Sequence, residues 1–311
     1  MPMTQFDTIA ANLVDVIQPF QAEGAGVRGR FVRVGPSLEK ALKAHDYPIA
    51  VGNLLGETVA TTLILASSLK YDGVFTLQTS SDGPIGTLMA DVTSDGAFRC
   101  YASFDADRVD DVTKENPNAS LPHFLGTGHM AFTVDQGPDT ERYQGITEIS
   151  GGSMVDCAHA YFRQSEQLQT AMAISADASS FVAGAIMVQR LPDHQGHEDD
   201  ADEDWRRTVA LMSSVTPEEL LDAQLNPGEL LYRLFHEEGV RLFDQQVVRN
   251  ECRCSAQRVE RTMKSFPRSE IESMREEDVV RVTCEFCKTD YIFDDSALDA
   301  LYANTSAVTD S

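Results

Sequence analysis

The sequence predicts an α+β fold in three parts: an N-terminal domain of antiparallel strands with packed helices, a helical linker, and a small C-terminal metal-binding domain. Three observations carry this. Alternating apolar runs are broken at Ser81-Asp-Gly-Pro84 and Ser94-Asp-Gly96, the punctuation of antiparallel hairpins. An abrupt acidic run fills 193–204. Four of the six cysteines crowd the last quarter of the chain.

In chain order, Val27–Val34 reads as a strand, followed by Ser37 as an N-cap and a short helix over 38–45. Pro48 opens a long apolar helix that is expected to end near Tyr71-Asp72-Gly73. Its most apolar stretch, 49–69, is interrupted by Asn53, Glu57, Thr58, Thr61, Thr62, Ser67 and Ser68. A membrane span needs about 20 mostly apolar residues, so a buried core helix is the better reading. Strands follow at 74–79, 85–92 and Ala97–Phe104. After a polar loop, Met130, Phe132 and Val134 alternate with His129, Ala131 and Thr133, and a further strand covers 143–149. A helix from Met154 has the apolar face Met154, Cys157, Ala158, Tyr161 and Phe162; strands at 171–175 and 181–191 complete a domain over 1–192. Cys100 and Cys157 stand alone and read as small core residues.

The expected linker is 193–250. Its first twelve residues, Asp193 to Asp204, form a solvated run of like charge. His194 and His197 within it would bind a metal only weakly. Thr216-Pro-Glu-Glu219 and Asn226-Pro-Gly-Glu229 each place a cap, a proline at the first helical position and a glutamate two residues after it. Leu230, Leu231, Leu234 and Phe235 form one apolar stripe, Trp205, Val209 and Met212 another, and Gly239 is a natural stop. Helices this short do not persist alone, so they are expected to dock on the first domain.

Composition narrows the function. With 25 basic against 49 acidic side chains the 311-residue chain carries a formal charge of −24, which opposes nucleic acid or anionic membrane as a partner. A 42% apolar share is that of a globular chain. Met1-Pro-Met-Thr-Gln-Phe has neither the basic nor the apolar region of a secretory signal, so a cytoplasmic location is expected. No phosphate loop, nucleophile elbow or dinucleotide fingerprint is found, and His123, His129, His159 and His236 are scattered, so no enzyme is expected.

The chemistry lies in 251–311. Cys252-Arg-Cys254 is followed after 29 residues by Cys284-Glu-Phe-Cys287. Cytosolic thiols stay reduced, and four thiolates match a closed tetrahedral zinc site with no open position for a substrate. The second pair sits between strand-like 279–283 and 291–293, as in a metal-binding knuckle. Val259, Met263 and Phe266 suggest one helix face, and Ser269-x-x-Glu272 the start of another helix. A module this small has little core, so one zinc ion is expected to supply much of its folding free energy.

Two uses of the four cysteines stay open on the residues alone: a permanent structural zinc, or a redox switch. Thiolates are the species oxidants attack, Arg253, Arg258 and Lys288 add positive field, and each cysteine has a neighbour that can capture a sulfenic acid. Zinc contributes on the order of 10–16 kcal/mol to such modules. A disulfide across three or four residues contributes only roughly 1.5–2 kcal/mol. Local disulfides therefore cannot replace the metal, and oxidation would unfold the tail and loosen the linker.

The sequence also resembles the redox-regulated 33-kDa heat-shock protein family of bacterial chaperones. The resemblance rests on His45-Asp-Tyr-Pro48, Glu141-Arg-Tyr-Gln-Gly145, Ser165-Glu-Gln-Leu168, Leu231-Tyr-Arg-Leu-Phe-His-Glu-Glu238, Cys252-x-Cys-Ser255 and Cys284-x-Phe-Cys287 with Tyr291 and Phe293. It implies an inactive, reduced, zinc-bound monomer that is activated by peroxide or hypochlorite together with unfolding stress. It implies Cys252–Cys254 and Cys284–Cys287 disulfides, zinc release, an unfolded linker, and ATP-independent binding of unfolding client proteins, often as a homodimer. Gln257, where the family has glutamate, and the long acidic run 198–204 depart from the pattern; neither touches a ligand. A constitutive zinc-stabilised adaptor for one folded partner is the competing reading.

Overall fold

The computed structural model describes residues 13–137, 140–165, 168–192 and 198–303. Its first hairpin joins β1 (Val16–Ala22) to β2 (Val27–Val34). Period-two alternation gives β2 two different faces. Val32 and Val34 pack into one hydrophobic cluster, while Val27 and Phe31 pack into another on the opposite side.

Helix α1 (Pro36–Leu42) follows. It starts before the expected Ser37 cap, because Pro36, with its φ already helical, takes the first position and Gly35 is the cap. Ser37 instead lies inside, and the Asp15 carboxylate serves the exposed amides. It accepts from Gly35 N at 2.9 Å, Ser37 N at 3.0 Å and the Ser37 hydroxyl at 2.8 Å.

Helix α2 (Ile49–Ser68) is the core helix the sequence predicts, three residues shorter than Tyr71 would allow. It has the length and apolarity of a membrane span, yet 72% of its most apolar window is buried within the fold. Its threonines are satisfied within the helix. Thr58 and Thr62 each return a hydroxyl to the carbonyl four residues back at 2.7 Å, so they sit in a dry environment without orphaned donors.

The hairpin signals hold for β3 (Val74–Ser81), β4 (Ile85–Thr93) and β5 (Ala97–Phe104). The polar loop expected after them contains two helices, α3 (Ala106–Glu115) and α4 (Leu121–Leu125). Asp105 caps α3 by accepting from Arg108 N. Only Val109 of α3 is buried, with Val112 packed partly against the core, so the apolar face of the helix is two residues wide. Next come β6 (Gly128–Asp135), β7 (Tyr143–Glu148), α5 (Met154–Ser165), β8 (Thr170–Asp177) and β9 (Val182–Arg190). On α5 the face Met154, Cys157, Ala158 and Tyr161 is buried; the side chain of Phe162 lies outside the described residues.

The linker region differs most from expectation. Its acidic run is helical from Glu198, where α6 (Glu198–Met212) begins, while 193–197, with His194 and His197, lie outside the described residues. Arg190 and Arg207 neutralise part of the run through Asp202 and Asp204, and acids in a first helical turn favour the macrodipole. The two capped starts give α7 (Pro217–Leu221) and α8 (Pro227–Phe235). Thr216 and Glu219 form a full capping box, the Asn226 side chain accepts from Gly228 N, and Gly239 stops the run at φ +69°. The last stretch is not helical linker but three short strands, β10 (Val240–Leu242), β11 (Gln246–Val247) and β12 (Arg249–Asn250).

These strands complete two sheets. The first has the order β10-β1-β2-β9-β8 with β11 also on β1, and the second the order β12-β5-β4-β3-β6-β7. Around α2, residues from both sheets form one core, including Leu55, Leu63, Ile64, Phe75, Leu88, Phe132 and Val32. The outer face of the first sheet carries the linker helices. Leu230, Leu231 and Phe235 are fully buried with Phe20, Phe31, Ile186 and Val188, and the Phe20 and Phe235 rings stack 5.6 Å apart.

The chain divides into two compact units, Met1–Glu251 and Cys252–Ser311. The second contains α9 (Ala256–Met263), α10 (Arg268–Ser273), the hairpin of β13 (Val280–Thr283) and β14 (Asp290–Phe293), and α11 (Asp295–Ala303). Two local expectations are corrected here. Phe266 lies beyond the end of α9 and is exposed, and Ser269 is inside α10, which Pro267 opens.

Candidate metal centre

Each cysteine pair of the tail sits beside a short element. Cys252 and Cys254 occupy the irregular stretch before α9, whose cap is Ser255, with its hydroxyl accepting from Arg258 N at 3.3 Å. Cys284 and Cys287 lie in the turn joining β13 to β14. That turn is closed by Cys284 N donating to Thr289 O at 2.9 Å and Lys288 N to Cys284 O at 2.8 Å. Lys288 takes the left-handed conformation there, φ +54°.

The fold gathers the two pairs into one cluster. All four Sγ atoms lie within 4.8 Å of one another, and all four residues are half-buried. Two close approaches run between the motifs: Cys252 to Cys284 at 3.7 Å and Cys254 to Cys287 at 3.4 Å. A tetrahedron with Zn–S near 2.3 Å has edges of about 3.8 Å. Spacing and donor chemistry both fit zinc.

The electrostatics of the bare sulfurs favour a cation among them. Burial, with the neighbouring sulfurs, pushes the Cys254 thiol up to about 12, and burial raises Cys284. Burial also opposes ionisation of Cys287, but hydrogen bonds from the Thr289 hydroxyl and amide, and from the other sulfurs, bring it down to about 7. The cluster thus accommodates one thiolate easily and resists the next, since like charges share a small volume. A divalent cation removes that conflict. Thr289, whose hydroxyl is 3.2 Å from Cys287 Sγ, escaped the sequence reading; its only signal is its place two residues after the last cysteine. Tyr291, also hydrogen-bonded to Cys254, stood among the family signatures. Lys288 pairs with Glu285 at 3.5 Å, so less of its field reaches the sulfurs than its charge suggests.

Beneath this cluster the hydrophobic core is small. Among the described residues it comprises Met263, Ile271, Val280, Phe293, Leu298 and Leu301, with partly buried neighbours.

The remaining candidates are elsewhere. Cys100 and Cys157 are buried in the first unit, and burial pushes the Cys100 thiol up to about 12 and raises Cys157. Neither offers a thiolate. His123 caps α4 by accepting from Ser120 N at 3.2 Å. His129 lies on β6, His159 on α5 and His236 at the end of α8, so the four histidines do not share an element.

Comparison with known proteins agrees with this architecture. A family model described as Hsp33 protein matches residues 15–294. A 33 kDa chaperonin of Caulobacter vibrioides is 37% identical over 299 residues, covering 94% of this chain and 99% of its own. A 33 kDa chaperonin of Nitrosococcus oceani is 37% identical over 289 residues, covering 93% and 94%. The crystal structure of the 33 kDa chaperonin, or heat shock protein 33 homolog, of Thermotoga maritima superposes with a TM-score of 0.78, covering 94% of this chain and 99% of that one at 20% identity. Two largely antiparallel sheets about a core helix, a four-cysteine tail and a match over nearly the whole length lead to one assignment: this chain belongs to the Hsp33 family.

Proposed function

We propose that the protein is a redox-regulated, ATP-independent chaperone that holds unfolding proteins when oxidised. The single observation that carries this is the four-sulfur cluster in a tail whose buried core, among the described residues, comprises six apolar side chains. The relatives' shared name, 33 kDa chaperonin, supports the chaperone class.

In the reduced form Cys252, Cys254, Cys284 and Cys287 hold one zinc ion. Bound zinc would keep the four sulfurs as thiolates and tie the segment before α9 to the β13–β14 turn. Oxidation by peroxide converts one thiolate of each pair to a sulfenic acid; the second thiolate attacks that sulfur, forming the S–S bond and expelling hydroxide, which is protonated to water. Per pair, two thiolates, one hydrogen peroxide and two protons give one S–S bond and two waters. A cystine no longer offers its thiolates, and the cage is lost.

The pairing decides the outcome. Cys252–Cys254 and Cys284–Cys287 bonds, which the family resemblance supports, close loops too short to stabilise a fold. The cross pairing, Cys252–Cys284 and Cys254–Cys287, spans 32 and 33 positions and would stabilise the tail by roughly 3–4 kcal/mol per bond. Only the local pairing lets the tail unfold. The linker then loosens, exposing its apolar stripe and the sheet beneath it to unfolding clients. The family resemblance adds a homodimer in the oxidised state, and the sequence reading a cytoplasmic location.

The test combines peroxide and heat with three readouts: zinc released to a chromogenic chelator, peptide mapping of disulfides, and suppression of aggregation of a thermally unfolding reporter enzyme. One zinc lost per chain, the two local disulfides, and suppression only after oxidation are expected. A protein that keeps its metal under oxidant, or that binds its partner only while metallated, is a constitutive adaptor and not a switch.

A further inference from the structure

Arg33 is the largest of the fully buried side chains in the described residues, and it serves the linker. It stands on the linker-facing side of β2, its guanidinium 4.9 Å from the Phe31 ring. Among the described residues, every hydrogen bond of that guanidinium ends on a main-chain carbonyl. Nε donates to Leu220 O at 2.8 Å, Nη2 to Glu219 O at 2.8 Å, and Nη1 to Leu225 O at 2.6 Å and Leu13 O at 3.3 Å. Three of the four acceptors belong to the end of α7 and the turn after it. The two on α7, Glu219 O and Leu220 O, are carbonyls that a short helix leaves without helical partners, and they carry its partial negative charge.

A second, separate feature meets the same carbonyl. Gly184 pairs with Arg33 across the β2–β9 ladder. A Cβ there would stand 2.6 Å from Leu220 O, so this point of β9 is bare where that oxygen rests. Arginine from below and missing bulk beside it make one socket for one turn of chain.

We infer that Arg33 and Gly184 form the socket that holds 216–226 on the first sheet, and that this socket makes departure of the segment a single event. The physical reason is the charge. Docking strips water from a cation that has no carboxylate among its hydrogen-bond acceptors, and burial pushes its pKa down to about 10, with Asp222 acting the other way. Only the complete set of carbonyls offsets that dehydration. Once one is lost, water reaches the guanidinium and the rest lose their advantage. A cation dry in one state and hydrated in the other is a two-state element. This regulation rests on the proposed function, but the structural test does not.

The experiment uses the full-length, reduced, zinc-loaded protein carrying Arg33→Lys or Gly184→Ala, followed by amide exchange with mass spectrometry. Lysine keeps the charge, but its donors radiate from one nitrogen and cannot reproduce the planar fork that reaches these four carbonyls from three nitrogens. Alanine suits a strand better than glycine, so loosening in that variant cannot come from a weaker β9. Exchange about tenfold faster or more over 216–226, with 252–303 unchanged and zinc retained, supports the socket. If Arg33→Lys fails to fold, Gly184→Ala alone decides. Unchanged exchange at 216–226 overturns the inference, as does a uniform rise across the whole first unit. Aggregation suppression by the reduced variants is scored separately. Its absence despite faster exchange leaves the socket standing and counts against the released linker as the client surface.

Discussion

Lys288 adopts φ +54° in the turn that carries Cys284 and Cys287, a conformation costing most L-residues about 1 kcal/mol. Lys288→Gly is therefore expected to stabilise the tail by about 0.5–1 kcal/mol. It should raise the temperature at which a chelator captures the zinc; an equal or lower temperature would refute this. Glu57 is the other residue under stress. Burial pushes its carboxyl from 4.5 up to about 7. The folded protein then binds more protons than the unfolded chain between these values, so its contribution to stability is complete below about 4.5 and is lost as pH rises through 7. Glu57→Gln should make the first unit more stable by about 2 kcal/mol at pH 8, discounted for partial solvent access, and by much less at pH 5. Urea unfolding at the two pH values measures this. The four cysteines were legible in the sequence because thiol chemistry and spacing need no neighbours to interpret. Glu57 and Arg33 were not, because their burial is created by α3, α4 and α7, far away in the chain.

Among the elements, those with their own signals were legible. Thr216 and Asn226 announced α7 and α8, since a cap acts within its own four residues. The hairpins β3–β4 and β4–β5 were equally local. By contrast α3 has one buried residue, and β10 to β12 are too short to show alternation; only strands already formed elsewhere give them a place. The Thr216 cap should be measurable. Thr216→Ala is expected to cost about 1 kcal/mol, speeding exchange in 216–221 while leaving α8 largely unchanged. Phe235→Ala, which removes the ring stacked on Phe20, should cost about 3–4 kcal/mol and free α8 from the sheet. Limited proteolysis between 226 and 239 reads this loss, and cleavage no faster than in the parent protein would contradict it.

The whole molecule joins a large unit with an extensive core to a small one whose six buried apolar residues, among those described, surround no comparable volume. Metal removal should separate them. Chelation of the reduced protein at neutral pH is expected to abolish exchange protection in 256–303 while the strands of the first unit keep theirs. Retained protection in the tail would mean that its core suffices. The linker helices lie between β9, which ends at Arg190, and β10, which begins at Val240, and both strands belong to the same sheet. Freed from the surface, that segment stays pinned at both feet as a closed ring. Ring closure limits its wandering and keeps its landing site within reach. Its return is therefore unimolecular, with a rate independent of dilution, and a captured guest or a second chain would prolong whatever opening the oxidised tail permits.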